Sequence, residues 1–241
     1  MGAVQWYFFL PDGTKDKRAN PEDEWDWTQG PPDLRRLRPA RDPKSTAKSR
    51  HVPVRAYSVT MGKHLHLESG AEHDLLRIVD RDPRVEIIAA QPLRLQFSKG
   101  NSHIPDLLTV SVDETVTVWD VRPAGRVNDK LQRDAELTGA ACREVGWDYQ
   151  LWLGSDLRER LKTLWLTCAR DRPSWADQYV PVLEQAAQAP GATVGHLRAL
   201  DDGSGELTST MWHLMWSGHI IVAKDMPLQD WTPVTWRGVE S

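Results

Sequence analysis

Cysteine is nearly absent from this chain. Cys142 and Cys168 are its only two in 241 residues, too few and too far apart for a disulfide frame or a zinc site. Reduced thiols of that kind point to an intracellular, cytoplasmic protein. No apolar run approaches the roughly 20 residues that cross a bilayer. The opening MGAVQWYFFLPDG lacks the basic segment and long apolar core of a secretory leader. Also missing are a Gly-rich phosphate loop, a Gly-x-Ser-x-Gly elbow and a dinucleotide fingerprint, so a nucleotide hydrolase or an esterase has no foothold. Charge of one sign is scarce too: 30 basic against 34 acidic side chains leave a net charge of −4, which argues against indiscriminate nucleic-acid binding. With 40% hydrophobic residues, the chain reads as one or two ordinary domains.

What is present concentrates between Glu68 and Trp152. Val116, Val118, Asp120 and Arg122 fall on one face of a strand, with Thr117, Trp119 and Val121 on the other. The run Leu107 to Val112 is a second strand, and Asp113-Glu114 turns the pair into an antiparallel hairpin. Such a hairpin brings Asp106 beside Asp120. Two carboxylates in a cleft of low dielectric repel unless a cation bridges them, and hard oxygen donors select Mg2+ or Mn2+. Ser69-Gly70-Ala71-Glu72 fits a Ser-x-x-Glu capping box, so a helix is expected from about Glu68 to Arg81 with Leu75, Leu76 and Val79 inward. Taken alone, Asp106 is also a plausible turn residue after Pro105, and Arg122 is an obvious salt-bridge partner for Asp120.

Read in order, ESGAEHDLLRIVDRDPRVEIIAAQPLRLQF, SHIPDLLTV, VTVWDVRP and AELTGAACREVGWDYQLW form a segment that resembles the TnsA-like transposon endonucleases of the PD-(D/E)XK nuclease superfamily. The resemblance covers about a third of the chain well and most of the rest loosely. It implies an α/β fold, a restriction-endonuclease-like mixed sheet flanked by helices. It implies a metal-dependent DNA endonuclease subunit in which Glu72, Asp106 and Asp120 bind Mg2+, with Mn2+ as a substitute and Glu68 as the fallback helical ligand. Gln91-Pro92 matches the family's Gln-Pro pair. Such a subunit cuts one strand, the 5′ ends of a mobile element, leaving 5′ phosphate and 3′ hydroxyl. A separate DDE-type transposase acts on the 3′ ends and a regulatory ATPase binds the assembly, which implies a nucleoid-associated protein. Arg122 stands where the motif has lysine. It cannot accept a proton, although its fork can clamp a phosphate oxygen.

That substitution leaves an active nuclease with a phosphate-clamping arginine beside a weakened or dead nuclease fold kept as a DNA-binding or assembly adaptor. A stand-alone repair or restriction-type nuclease is a third reading. His103, just ahead of Asp106, lies close enough to assist proton transfer, though a loop histidine is more often inert. His64, Leu65 and His66 alternate like a strand and, with His73, make a weak metal pattern.

Three segments follow from composition. Residues 1–50 form an N-terminal extension with an acidic stretch and a basic, Pro-rich linker, in which Arg35, Arg36, Arg38, Arg41, Lys44, Lys48 and Arg50 are opposed by Asp33 and Asp42. They can follow DNA phosphates or simply be solvated. Residues 51–154 carry the nuclease-like elements, with strands over Val85 to Phe97, bent at Pro92, and a helix from Asn128 to Glu144. Residues 155–241 read as a C-terminal winged helix-turn-helix: helices with a break or kink at Pro181, then Glu206–Trp216 as a recognition helix with Ser209, Thr210 and His213 toward DNA, then a two-stranded wing. Protein docking is an equal alternative for this half.

Overall fold

The computed structural model describes residues 4–10, 24–40, 52–97, 100–123, 125, 128–223 and 225–237. Its contacts divide the chain into two units, the first running to Asp80 and from Arg84 to Gly154, the second comprising Arg81–Pro83 and Ser155 onward.

The first unit is built on a four-stranded mixed sheet. Strands β4 (Val85–Ala90), β7 (Leu107–Ser111) and β8 (Val116–Val121) form an antiparallel meander, and β9 (Asp148–Trp152) joins β8 in parallel. A parallel neighbour requires a crossover, supplied by α2 (Asp129–Glu144) with Asn128 as its N-cap. The other helix, α1 (Gly70–Val79), precedes β4 and ends at Asp80. Alternate residues of the sheet feed two cores. Ile87, Ala89, Leu108, Val110 and Val118 pack with Ala141, Cys142 and an aromatic group of Trp6, Phe8 and Trp147. Ile88, Ala90, Leu107 and Val121 pack with Leu75, Leu76 and Val79 of α1. A sheet covered on both faces needs apolar residues at consecutive positions, which is why VEIIAA reads as an unbroken run.

Two smaller sheets frame this one. Strand β2 (Val54–Ser58) pairs with β3 (Lys63–Leu67), and β1 (Gln5–Phe8) pairs with β5 (Leu93–Gln96), which also pairs with the short β6 (Ser102–His103). The sequence predicts strands over Val85 to Phe97 with a bend at Pro92. The chain breaks at Gln91, a non-glycine residue at φ 46°, and passes from one sheet to the other. Pro92 lacks a ladder donor and constrains the residue before it, so continuation was blocked there. The strand Gln5–Phe8 thus sits inside this unit, with Trp6 and Phe8 in its core.

The second unit packs α3 (Leu157–Leu166), α4 (Ala176–Gln188) and α5 (Val194–Arg198) around α6 (Glu206–Trp216), with β10 (Ile220–Ile221) pairing antiparallel to β11 (Thr235–Trp236). Helix α4 runs through Pro181 without a break. Arg81 donates to the carbonyls of Met215 and Trp216 at 2.6 and 2.7 Å, which satisfies acceptors left over at the end of α6. Helix α6 itself departs from the sequence reading. Leu207, Met211, Leu214 and Met215 are core as expected, but Thr210 and His213 are buried as well. The Thr210 hydroxyl donates to Glu206 O, and His213 Nδ1 lies 3.0 Å from Ala169 O. A helix apolar on nearly all sides belongs in an interior, so Thr210 and His213 do not face DNA. Ser209, half-buried, bonds Glu206 O and receives the Trp175 indole N–H.

The two cysteines differ. Cys142 is buried in α2 and its thiol is pushed up to about 12 by burial and the Asp120 charge, whereas Cys168 is exposed. Among the described residues no helix is long and apolar enough to cross a membrane.

Candidate active site

Glu72 is placed by its own helix start. Ser69 Oγ accepts from Glu72 N at 3.2 Å and donates to Glu72 Oε1 at 2.8 Å, while Glu68 N donates to Glu72 Oε2 at 2.8 Å. This is the capping-box exchange shifted by one residue. It turns the carboxyl inward, where it is buried. Burial, then the repulsion of Asp106, pushes Glu72 up to about 7 despite those two hydrogen bonds.

Asp106 lies just before β7. Its N–H bonds Trp119 O at 3.0 Å, its Oδ2 accepts from Val121 N at 2.7 Å, and Arg122 Nη1 donates to the same oxygen at 3.0 Å. Burial and the Asp120 charge push Asp106 up to about 6, against the pull of Arg122. The hairpin therefore does bring Asp106 close to Asp120.

Asp120 is the penultimate residue of β8, at 1% exposure. His103 Nε2 lies 2.9 and 2.8 Å from its two oxygens, and Tyr149 Oη donates to Oδ2 at 2.8 Å. Burial opposes a charge on His103, but the hydrogen bond and the charge of Asp120 outweigh it and move the imidazole above its ordinary value. The Tyr149 phenol is moved upward by burial and the same carboxylate. Tyr149 reaches Asp120 past Gly139 of α2, where an added Cβ would meet Tyr149 Cδ1 at 3.2 Å. The expected partnership of Arg122 with Asp120 is thus replaced. Arg122 pairs with Asp106, and Asp120 is held by His103 and Tyr149. His103 was legible as a neighbour of Asp106. Tyr149 gave no signal, because an aromatic residue in a strand ordinarily reads as core.

The four sequence-predicted residues Glu72, Asp106, Asp120 and Arg122 therefore belong to one cluster within one unit. As it stands, no group of three or more His, Cys, Asp or Glu side chains among the described residues is arranged to enclose an ion. The donor chemistry nevertheless suits a hard divalent cation. Asp106 Oδ1 carries no hydrogen bond among the described residues, Asp120 Oδ1 accepts only from His103, and each Glu72 oxygen accepts one bond. Each carboxylate keeps a lone pair. Elsewhere, His64 and His66 lie on β3, and His73 Nδ1 sits 3.1 Å from Arg77 Nη2, so the histidine pattern does not assemble.

Gln91 stands out beside this cluster. Its N–H donates to Asp106 O at 3.0 Å. Gln91 is 2% exposed, and neither side-chain amide atom has a partner among the described residues. A positive φ and an orphaned amide are both costs, and strain of this sort concentrates at functional sites. Gln91→Met keeps the length and removes the amide. It is expected to raise the unfolding free energy by about 1–3 kcal/mol in urea titrations; a destabilised variant would mean that solvent satisfies the amide.

Of the basic linker, Arg35, Arg36 and Arg38 are described and exposed. Arg35 and Arg36 belong to a 3-10 turn, Leu34–Arg36, capped by Asp33, with Arg35 Nη2 3.1 Å from Glu86, and Arg38 follows it. Arg41, Lys44, Lys48 and Arg50 lie outside the described residues. Compared with protein-family models and with curated proteins, the chain matches no family model and no curated sequence.

Proposed function

We propose that this chain is a Mg2+-dependent DNA endonuclease subunit of the TnsA-like kind, its first unit a PD-(D/E)XK-like core. The observation that carries this reading is the convergence of Glu72 from α1, Asp106 before β7 and Asp120 with Arg122 at the end of β8. Burial and mutual repulsion hold Glu72 near 7 and Asp106 near 6, the state expected of carboxylates arranged for a cation. The order α1-β4-β7-β8-α2-β9, with a meander and one parallel strand, supports the same assignment.

Glu72 and Asp106 would hold the ion, with Asp120 Oδ1 as third donor. When bound, the ion supplies a hydroxide from water and neutralises charge on the leaving 3′ oxygen. Arg122 keeps Nε and Nη2 free of hydrogen bonds to the described residues, so its fork remains available to a phosphate oxygen while Nη1 stays on Asp106. His103 Nε2 and Tyr149 Oη fix the Asp120 carboxylate and with it the end of β8. A proton on His103 Nε2 would be held by that carboxylate.

The second unit is assigned to partner docking, with the transposase or its regulatory ATPase. Leu157, Leu161 and Trp165 recur at i, i+4 and i+8 along α3 with exposures of 68, 53 and 50%, an apolar stripe left largely exposed although Trp165 meets the Trp212 ring edge to face. The burial of α6 removes the argument for a DNA-reading helix there. The adaptor reading draws support from the Asp106–Arg122 pair, which neutralises the site without a metal.

Calorimetric titration of Mn2+ into the protein and into Asp120→Ala tests the proposal without needing DNA or a partner. Binding in the parent that weakens at least tenfold in the variant is the expected result. Equal heats in both would place the ion elsewhere, and no heat in either would move the chain to the adaptor class.

A further inference from the structure

Beside the carboxylate cluster, the first unit holds a groove of about 220 Å3 between β3 and β4, closed on one side by the turn at Leu34–Arg38. Its floor is apolar and includes Ile87 to Ala90, the outer edge of the mixed sheet, where Ile88 N–H is met by Met61 Sδ at 3.1 Å. Its walls carry the basic residues Arg35, Arg38 and Lys63 together with His64 and His66, and no acidic residue lines it. The hairpin register extends this surface. Arg55 stands opposite His66 and Tyr57 opposite His64, with the Tyr57 and His64 rings edge to face at 5.4 Å. Arg35 pairs with Glu86, whereas Arg38, Arg55 and Lys63 have no acidic partner among the described residues.

That is unusual for this chain, in which acidic side chains outnumber basic ones by 34 to 30. Arg77, Arg122, Lys130, Arg172 and Arg198 each sit on an aspartate. Cations left unpaired together, around a groove, are what a polyanion would need. The groove also leads somewhere. Strand β3 continues through Glu68 to Ser69 and Glu72, and β4 ends at Gln91, whose N–H is bonded to Asp106 O. Both walls therefore finish at the carboxylate cluster.

We propose that this groove and the outer face of the β2–β3 hairpin are a track for the phosphate backbone of duplex DNA, delivering it to the cluster. The track rests on the reading of DNA as substrate. Arg38, Arg55 and Lys63 would contact successive phosphates and release their counterions, and none of them reads a base. The basic linker alone did not reveal the track, because His64 and His66 are distant from it in sequence.

Fluorescence anisotropy with a labelled duplex in EDTA measures this apart from cleavage and metal binding. The triple variant Arg38→Gln, Arg55→Gln, Lys63→Gln changes exposed side chains. It is expected to weaken binding by at least tenfold near 100 mM salt, and to reduce the slope of log K against log salt by about three, roughly one per lost phosphate contact. Binding and slope equal to the parent would overturn the track, as would a parent that does not bind duplex at all. A parent that binds through the track but takes up no Mn2+ would leave the track standing and remove the nuclease reading. A single strand of equal length that competes better than duplex would overturn the duplex assignment.

Discussion

Asp106→Asn is expected to reduce strand cleavage by about 10^3-fold or more while leaving the fold intact. The size follows from the role: a ligand that helps a metal stabilise transition-state charge is worth several kcal/mol, and each 1.36 kcal/mol is tenfold in rate. The fold survives because asparagine retains an oxygen for Val121 N–H, the 2.7 Å bond that ties Asp106 to β8. What it loses is the pairing with Arg122, whose side chain is 38% exposed, and an ion pair open to water contributes at most about 1 kcal/mol. Asp106→Ala is the poorer variant, since it leaves Val121 N–H buried without an acceptor at a cost of about 1–3 kcal/mol. The assay is nicking of a duplex carrying an element end, with the transposase present, alongside thermal melting. Cleavage by Asp106→Asn at the parent's rate would sink the site assignment.

The metal-free protein should become less stable as the pH rises from about 4 to about 7. Glu72 is held at about 7, above its ordinary 4.5, and Asp106 at about 6, above 3.8. Between those values the folded chain binds more protons than the unfolded one, so stability falls with increasing pH, and the full penalty is present above the folded values. For Glu72 the shift corresponds to about 3 kcal/mol at most. His103, raised by Asp120, acts in the same direction. His213 and His219 are lowered, chiefly by burial, and act in the opposite one, because acid must charge them in place. The measurement is therefore a difference. Urea unfolding of the parent and of Glu72→Gln in EDTA should diverge at high pH, with the variant the more stable, and saturating Mn2+ should flatten the parent's curve. Parallel curves would mean that Glu72 ionises without penalty.

Local signals carried much of this site. The Ser69 capping box placed Glu72, period-two alternation placed Asp120 at the end of a strand, and a short turn was enough to bring Asp106 alongside. Each depends on residues within a few positions of one another. What was not legible depends on long-range packing. Strand alternation pairs Arg122 with Asp120, yet its guanidinium reaches Asp106. Tyr149 enters through a parallel strand that is adjacent only because α2 crosses over. Helix α6 has polar residues at Ser209, Thr210 and His213 that read as a solvent face. Two of the three are buried because hydroxyl and imidazole find backbone carbonyls, at Glu206 and Ala169, and so enter the core at little cost. The break at Gln91 could be suspected from Pro92, but the transfer between sheets needed the partner strand Gln5–Phe8, more than 80 residues away.

The contrast between the two thiols has a practical side. A thiolate is the reactive form of cysteine, and the one in α2 is both shielded and held protonated. A maleimide dye offered to the native chain should therefore attach once, at Cys168 in the second unit. That single attachment gives a fluorescent reporter of assembly that requires no engineered residue and leaves the carboxylate cluster untouched.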